Sequence, residues 1–129
     1  MDPRIELAAG SRDSVLALRR VERQQAIIER LHAARGVRLQ IERLAADLRV
    51  STRTLVRDVE RLRSSGVPIH TQRGRAGGLS ISPAAVVKPI TFDLPEVAAL
   101  MSSLTVLGPS VSPSATSAMN KLVQALRER

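Results

Sequence analysis

Arginine and hydroxyl side chains gather at the beginning of one predicted helix. If that helix begins at Thr52, Arg53 and Arg57 lie one turn apart and project from the same exposed face. Guanidinium groups bind guanine O6 and N7 in a bidentate manner, and Ser51, Thr52 and Thr54 supply hydroxyls that suit phosphate. Such a helix is typical of major-groove recognition. The plain alternative is a solvated helix face with a serine cap.

A second group of arginines follows in the glycine-rich segment Arg73–Gly78, which the pattern places between two short strands. Arg73 and Arg75 would form a basic wing on a phosphate backbone or a minor groove. The GXXG spacing matches an RNA-binding KH loop, but that loop joins two helices. No Gly-Lys-Ser/Thr follows, as a phosphate-binding loop requires. A plain glycine-rich hairpin remains the alternative.

Charge and composition narrow the function classes. The net charge is +8, and residues 1–82 hold 16 arginines against 9 acidic residues. This balance favours an anionic partner. Without cysteine and with only two histidines, disulfides and a structural zinc site are not expected. No catalytic set of residues is visible, so the chain is not expected to be an enzyme or to need a cofactor.

Apolar spacing predicts the elements that position these arginines. The first dozen residues are expected to be a loose arm or a short helix, with a regular helix from Ser14 to about Gly36. Leu55, Val59 and Leu62 form the buried stripe of the arginine-bearing helix, and Asp58 or Glu60 is expected to pair with a nearby arginine. The remaining predicted elements in this part are helices over Gln40–Leu48 and Thr52–Ser65 and strands over Ile69–Thr71 and Leu79–Ile81.

Beyond a linker bounded by Pro83 and Pro89, two further helices are predicted. The first is capped by Asp93 with Glu96 three residues later, and the second runs from about Ser114 to Arg127. Their Leu, Val, Met and Ala stripes need a partner surface. A second copy of the chain would supply it, and folding back on the preceding domain is the alternative.

The elements together predict a mainly α fold with a small β-hairpin: a winged helix-turn-helix followed by a C-terminal helical pair. We expect a winged helix-turn-helix DNA-binding domain over residues 1–82. Residues 83–92 are the expected linker, and residues 93–129 the expected helical dimerisation or connector region.

At this point residues 41–62, IERLAADLRVSTRTLVRDVERL, resemble the helix-turn-helix (type 11) of the DeoR-like, YafY-like regulators of the WYL-domain family. The resemblance extends over residues 19–82, through GVPI at 66–69 and RGRAGGL at 73–79. Residues 89–100 and 120–126 resemble the helical connector of that family. The resemblance implies a promoter-binding regulator with its recognition helix and wing at the arginines described above. Adding Arg61, which lies near the same helix face, the expected DNA-binding residues are Ser51, Thr52, Arg53, Thr54, Arg57, Arg61, Arg73 and Arg75.

Three departures from the family pattern stand out. The WYL domain would begin where this chain ends, so the chain is a naturally short or a truncated member, and ligand sensing stays open. Leu79 stands where the family often has Tyr, which removes an aromatic side chain from the base of the wing. Arg49 stands where Gly is common, so the turn between the helices is expected to be less left-handed than usual.

The sequence therefore predicts a cytoplasmic, sequence-specific regulator of transcription that binds double-stranded DNA as a homodimer through its C-terminal helices. No apolar run is long enough to span a membrane. The alternative is a winged-helix adaptor that binds proteins, although an adaptor would not need arginines on one side. RNA binding is disfavoured because Phe92 is the only aromatic residue. The operator, the effector and the sign of regulation are not indicated.

Overall fold

The computed structural model describes the backbone of residues 3–75 and 77–127, and the side chains of residues 15–75, 77–108 and 110–127. This part of the chain contains five α-helices, one 3-10 helix (Pro109–Val111) and one antiparallel hairpin, which confirms the predicted mainly α, winged helix-turn-helix class. The elements are α1 (Pro3–Ala33), α2 (Ile41–Asp47), α3 (Thr52–Ser64), β1 (Ile69–Gln72), β2 (Gly78–Ile81), α4 (Leu94–Leu107) and α5 (Pro113–Ala125).

The chain divides into two compact units. One is residues 23–88, called here the winged unit, and the other combines the first 22 residues with residues 89–129. The boundary at residue 23 falls inside α1, so this one helix contributes to both units.

The winged unit is built around ten buried apolar side chains that come from α1, α2, α3 and the two strands. The predicted stripe Leu55, Val59 and Leu62 is buried, which confirms the face on which α3 packs. Aliphatic side chains fill this core because no aromatic residue is available in the unit. The ten are Ile27, Leu31, Leu44, Ala45, Leu55, Val59, Leu62, Ile69, Leu79 and Ile81.

Besides its buried side chains, the hairpin gains a backbone bridge to Leu39, which lies just before α2. β1 pairs with β2 in the register Ile69 to Ile81 and Gln72 to Gly78. Leu39 adds a one-residue third strand, because it exchanges two backbone hydrogen bonds of 2.8 Å with Leu79. Gly78 has a φ of +143°, and a Cβ there would lie 2.4 Å from the Leu39 carbonyl oxygen. Only glycine therefore fits where the wing meets Leu39.

The C-terminal helices begin with well-formed caps but bury little. Asp93 and Glu96 form the predicted capping box, with hydrogen bonds of 2.9 and 3.0 Å between each side chain and the other residue's amide. Among the described apolar side chains of residues 89–127, only Val97 and Ala115 are buried.

One predicted boundary is wrong, and a second differs by a single residue. Helix α1 already begins at Pro3, where a loose arm or short helix was expected, because proline is tolerated in a first turn and the cost of Gly10 inside a long helix is small. Helix α5 begins at Pro113 instead of Ser114: Ser112 is its N-cap and accepts a 3.0 Å hydrogen bond from the amide of Ala115.

Within the described residues, no helix has both the length and the apolar character that crossing a bilayer requires.

Candidate nucleic-acid interface

The beginning of α3 is fixed by its serine cap, as predicted. Ser51 has an extended backbone, with φ −70° and ψ 155°, and its Oγ accepts a 3.1 Å hydrogen bond from the amide of Thr54. The same hydroxyl donates to Thr54 Oγ1 over 3.0 Å. Because both oxygens are engaged with each other, the cap holds the first turn of α3 in one conformation.

The turn between α2 and α3 contains a left-handed arginine, which corrects the expectation of a less left-handed turn. The Val50 amide donates to Ala45 O over 3.0 Å and the Arg49 amide donates to Ala46 O over 3.1 Å. These two bonds form a Schellman motif, whose penultimate residue must adopt a positive φ. Arg49 accordingly has φ +58°. A residue with a Cβ pays about 1–2 kcal/mol for this conformation.

A buried carboxylate anchors α3 to α1. Asp58 is fully buried and accepts hydrogen bonds from Arg23 Nε, from Arg23 Nη2 at 3.2 Å and from Gln24 Nε2 at 3.3 Å. Arg61 Nη1, three residues along the helix, lies 3.7 Å from the same carboxylate, which confirms that Asp58 pairs with a nearby arginine. Arg23 and Gln24 were missed by the sequence analysis. The available signal was that Asp58 falls on the same helix face as Leu55 and Leu62.

The opposite face of α3 is exposed. Arg53 and Arg57 are both exposed, and neither has a hydrogen-bond or ion-pair partner among the described residues. Thr52 is exposed at the first position of the helix, whereas Thr54 is half-buried. Burial of Asp58 on one side thus leaves the long cations on the other side free for a ligand.

The wing presents two more arginines. The strands leave residues 73–77 as the connecting loop, and Arg73 and Arg75 are exposed there without a partner among the described residues. Gly77 closes the loop with a 3.0 Å hydrogen bond to Gly74 O, and a Cβ at Gly77 would lie 2.1 Å from Gln72 O. Ala76 in this loop and residues 1–2 and 128–129 lie outside the described residues.

A cleft of about 800 Å³ separates α3 from the wing. Arg73 and Arg75 line it together with Val56 and Glu60 of α3, and Glu42 lines it from α2. None of the six expected DNA-binding residues on or next to α3 lines this cleft. These are Ser51, Thr52, Arg53, Thr54, Arg57 and Arg61. The structure therefore divides the predicted residues into a set on α3 and a set at the wing, with the cleft between Val56 and the loop.

Three acidic residues of the winged unit pair with arginines other than Arg53, Arg57, Arg73 and Arg75. Asp58 pairs with Arg23 and Arg61, Glu60 with Arg63 at 3.4 Å, and Asp47 with Arg30 at 3.2 Å. Arg53 and Arg57 on α3 and Arg73 and Arg75 at the wing loop therefore keep their positive charge unneutralised by any described residue, and they can attract an anion.

Residues 23–80 match a family model described as HTH domain, type 11. The match covers a little under half of the chain and extends from the last third of α1 into β2. It supports a helix-turn-helix regulator family and suggests a DNA-binding regulator. No solved structure matches the chain.

Proposed function

We propose that the winged unit binds double-stranded DNA in a sequence-specific manner, with α3 in the major groove and the loop 73–77 on the adjacent backbone or minor groove. The observation that carries this proposal is the exposure of Arg53 and Arg57 on α3 and of Arg73 and Arg75 on the wing, all without a partner among the described residues. The helix-turn-helix family match supports the same function.

The anchoring of α3 suits base recognition. A helix that reads base edges must hold its side chains in one register along the groove. Asp58 ties the middle of α3 to α1, and Ser51 fixes its first turn. In this proposal Arg53 and Arg57 contact base edges because they extend from the exposed face of a helix that cannot rotate without breaking a buried ion pair.

The remaining predicted residues on or next to α3 would contact the DNA phosphates or support the turn that does so. Thr52 is exposed at the first turn of α3, so its hydroxyl and amide are available to a phosphate. Ser51 and Thr54 are occupied with each other and would act mainly by presenting that turn. Arg61 shares Asp58 with Arg23 but is half exposed, so it can reach a flanking phosphate.

The proposal extends to a homodimeric regulator of transcription. Residues 1–82 would bind DNA, residues 83–92 would connect, and residues 93–129 would join two copies. This is supported by large apolar side chains that are exposed on the C-terminal helices, among them Leu100, Val106 and Val123. A two-fold dimer would present two α3 helices to a two-part site.

The test measures binding of the full chain to its preferred duplex and to a random-sequence duplex over a series of salt concentrations. Arg57→Ala should cost about 1–3 kcal/mol on the preferred duplex and relax sequence preference, because a base contact is lost. Arg75→Ala should weaken both duplexes alike and reduce the salt dependence, because a phosphate contact is lost.

Arg63→Ala is the matched control, because Arg63 lies on the same helix but pairs with Glu60. It should leave both affinities near wild type. Wild-type binding by the Arg57 and Arg75 variants would refute the assigned contacts. Absence of any duplex binding at low salt would instead favour the protein-binding adaptor.

A further inference from the structure

The two helices of the helix-turn-helix, α2 and α3, end with the same hydrogen-bond pattern but with different residues. At the end of α3, the Val67 amide donates to Leu62 O and the Gly66 amide donates to Arg63 O, both over 3.0 Å, with Gly66 at φ +99°. The end of α2 has the equivalent bonds around Arg49. Glycine meets the backbone requirement of this motif without strain, whereas arginine meets it only with strain.

Resting on the proposed function, we propose that Arg49 is a further DNA-binding residue whose guanidinium contacts a phosphate next to the groove that α3 enters. Arg49 is exposed and has no side-chain partner among the described residues. It lies two residues before Ser51, the cap of α3. A cation at this place suits a DNA interface, and non-glycine residues held at a positive φ cluster at functional sites.

The backbone around Arg49 is held firmly, so its charge is presented from a fixed point. Val50, the next residue, is half-buried and packs against the core of the winged unit. Leu48, the residue before, also packs against that core. The side chain of Arg49 therefore leaves a turn that is pinned on both sides, beside the end of α3 that reaches bases in this class of motif.

One alternative role lies within the protein. A cation just beyond α2 interacts favourably with the negative end of the helix dipole. That role would affect folding stability and would not affect DNA affinity. The two roles are separated by measuring both quantities on the same variants.

Arg35 is a matched control within the same unit. It is an exposed arginine with φ +49° and no side-chain partner among the described residues. It precedes Gly36, where a Cβ would lie 2.9 Å from Pro83, just beyond the end of β2. Arg35 therefore lies near the base of the hairpin, at the opposite end from the loop 73–77.

The experiment uses the full chain with the Arg49→Gly, Arg49→Gln, Arg49→Lys and Arg35→Gly substitutions. Dissociation constants are measured on the preferred and the random-sequence duplex from low to high salt, and melting temperatures are measured without DNA. Arg49→Gln and Arg49→Gly should each weaken both duplexes by about 3- to 10-fold at low salt. Each should also reduce the slope of log K against log salt by about 0.9.

The remaining variants sharpen the result. Arg49→Lys keeps the charge and should retain the wild-type slope. Arg35→Gly should leave binding and slope unchanged, whereas both glycine variants should melt at higher temperature than wild type because a left-handed arginine is removed.

If the wild-type chain binds DNA but Arg49→Gln and Arg49→Gly leave the affinity and the salt slope unchanged, the Arg49 contact alone is overturned. An equal loss in Arg35→Gly would overturn it as well, because the effect would then follow net charge. A wild-type chain that binds neither duplex would overturn the proposed function and this contact together.

Discussion

The winged unit and the C-terminal helices are built from similar aliphatic side chains but use them differently. In residues 23–88, ten apolar side chains are buried in one cluster that joins three helices and the hairpin. In residues 89–127, the described apolar residues buried are Val97 and Ala115, while Leu100, Val123 and Leu126 are exposed. The first set forms a core by itself, whereas the second leaves apolar surface uncovered.

Under the proposed function, this difference would separate two tasks. A DNA-reading helix needs a rigid support, and the winged unit provides it through a closed core and a buried ion pair. An assembly element needs an apolar face that is available to a partner, and the C-terminal helices offer one. The following substitutions test the difference, in order of decreasing expected effect.

Asp58→Ala should be the most damaging substitution in the winged unit. It removes the carboxylate that holds Arg23 and Gln24, and breaking a buried ion pair costs about 3–5 kcal/mol. Asp47→Ala is the control, because the Asp47–Arg30 pair also joins two helices but its side chains are 49% and 46% exposed. It should cost about 1 kcal/mol or less.

Urea unfolding followed by circular dichroism measures both changes, since the chain has no Trp or Tyr for fluorescence. Equal costs for the two variants would contradict the anchoring role assigned to Asp58.

Val59→Ala and Val106→Ala make the same truncation of a valine side chain, once in the winged unit and once in the C-terminal helices. Val59 is 2% exposed in α3, whereas Val106 is 87% exposed near the end of α4. The buried position should lose about 1.5–3 kcal/mol of unfolding free energy and the exposed one less than about 0.5 kcal/mol. Denaturant unfolding at one protein concentration checks this pair. A comparable loss at Val106 would show that α4 is covered in solution.

Val123→Glu tests whether a second copy covers the C-terminal helices. A charge on this exposed apolar position should weaken the dimer at least about 10-fold, equivalent to about 1.4 kcal/mol. Asn120→Glu, at an exposed polar position of the same helix, should leave association unchanged. Light scattering over a concentration series measures both. A wild-type chain that stays monomeric throughout would refute the proposed dimer.

Gly66→Ala should have the smallest effect. A Cβ at Gly66 would meet nothing within 4 Å, so the cost is that of a positive φ alone, about 1 kcal/mol. Ser64→Ala, at an exposed position in the last turn of α3, should change the unfolding free energy by less than about 0.5 kcal/mol. Thermal melts of the two variants provide the comparison, and indistinguishable melting temperatures would argue against a left-handed conformation at Gly66.

Local signals were sufficient to predict much of the winged unit. Ser51 before Thr52 predicted the cap, and the spacing of Leu55, Val59 and Leu62 predicted the buried face of α3. Both depend on residues within a few positions of each other, where helix geometry fixes the neighbours. The capping box of α4 was predictable for the same reason.

Features that depend on tertiary contacts were missed or predicted wrongly. Asp58 meets Arg23 across 35 residues, and no local pattern identifies such a pair. Arg49 adopts the left-handed conformation because backbone hydrogen bonds and the packing of Val50 require it, which outweighs the preference of the residue itself. Helix α1 begins at Pro3, within the segment expected to be a loose arm or a short helix, because proline fits the first turn of a helix.

The most direct test of sequence-specific binding by the winged unit is selection of bound duplexes from a random pool by the full chain, followed by sequencing. We predict enrichment of a short motif in two halves, with centres about 10 base pairs or a multiple of that distance apart. Arg53→Ala and Arg57→Ala should change the enriched bases. A pool that is retained by the chain but shows no enriched sequence would contradict the account.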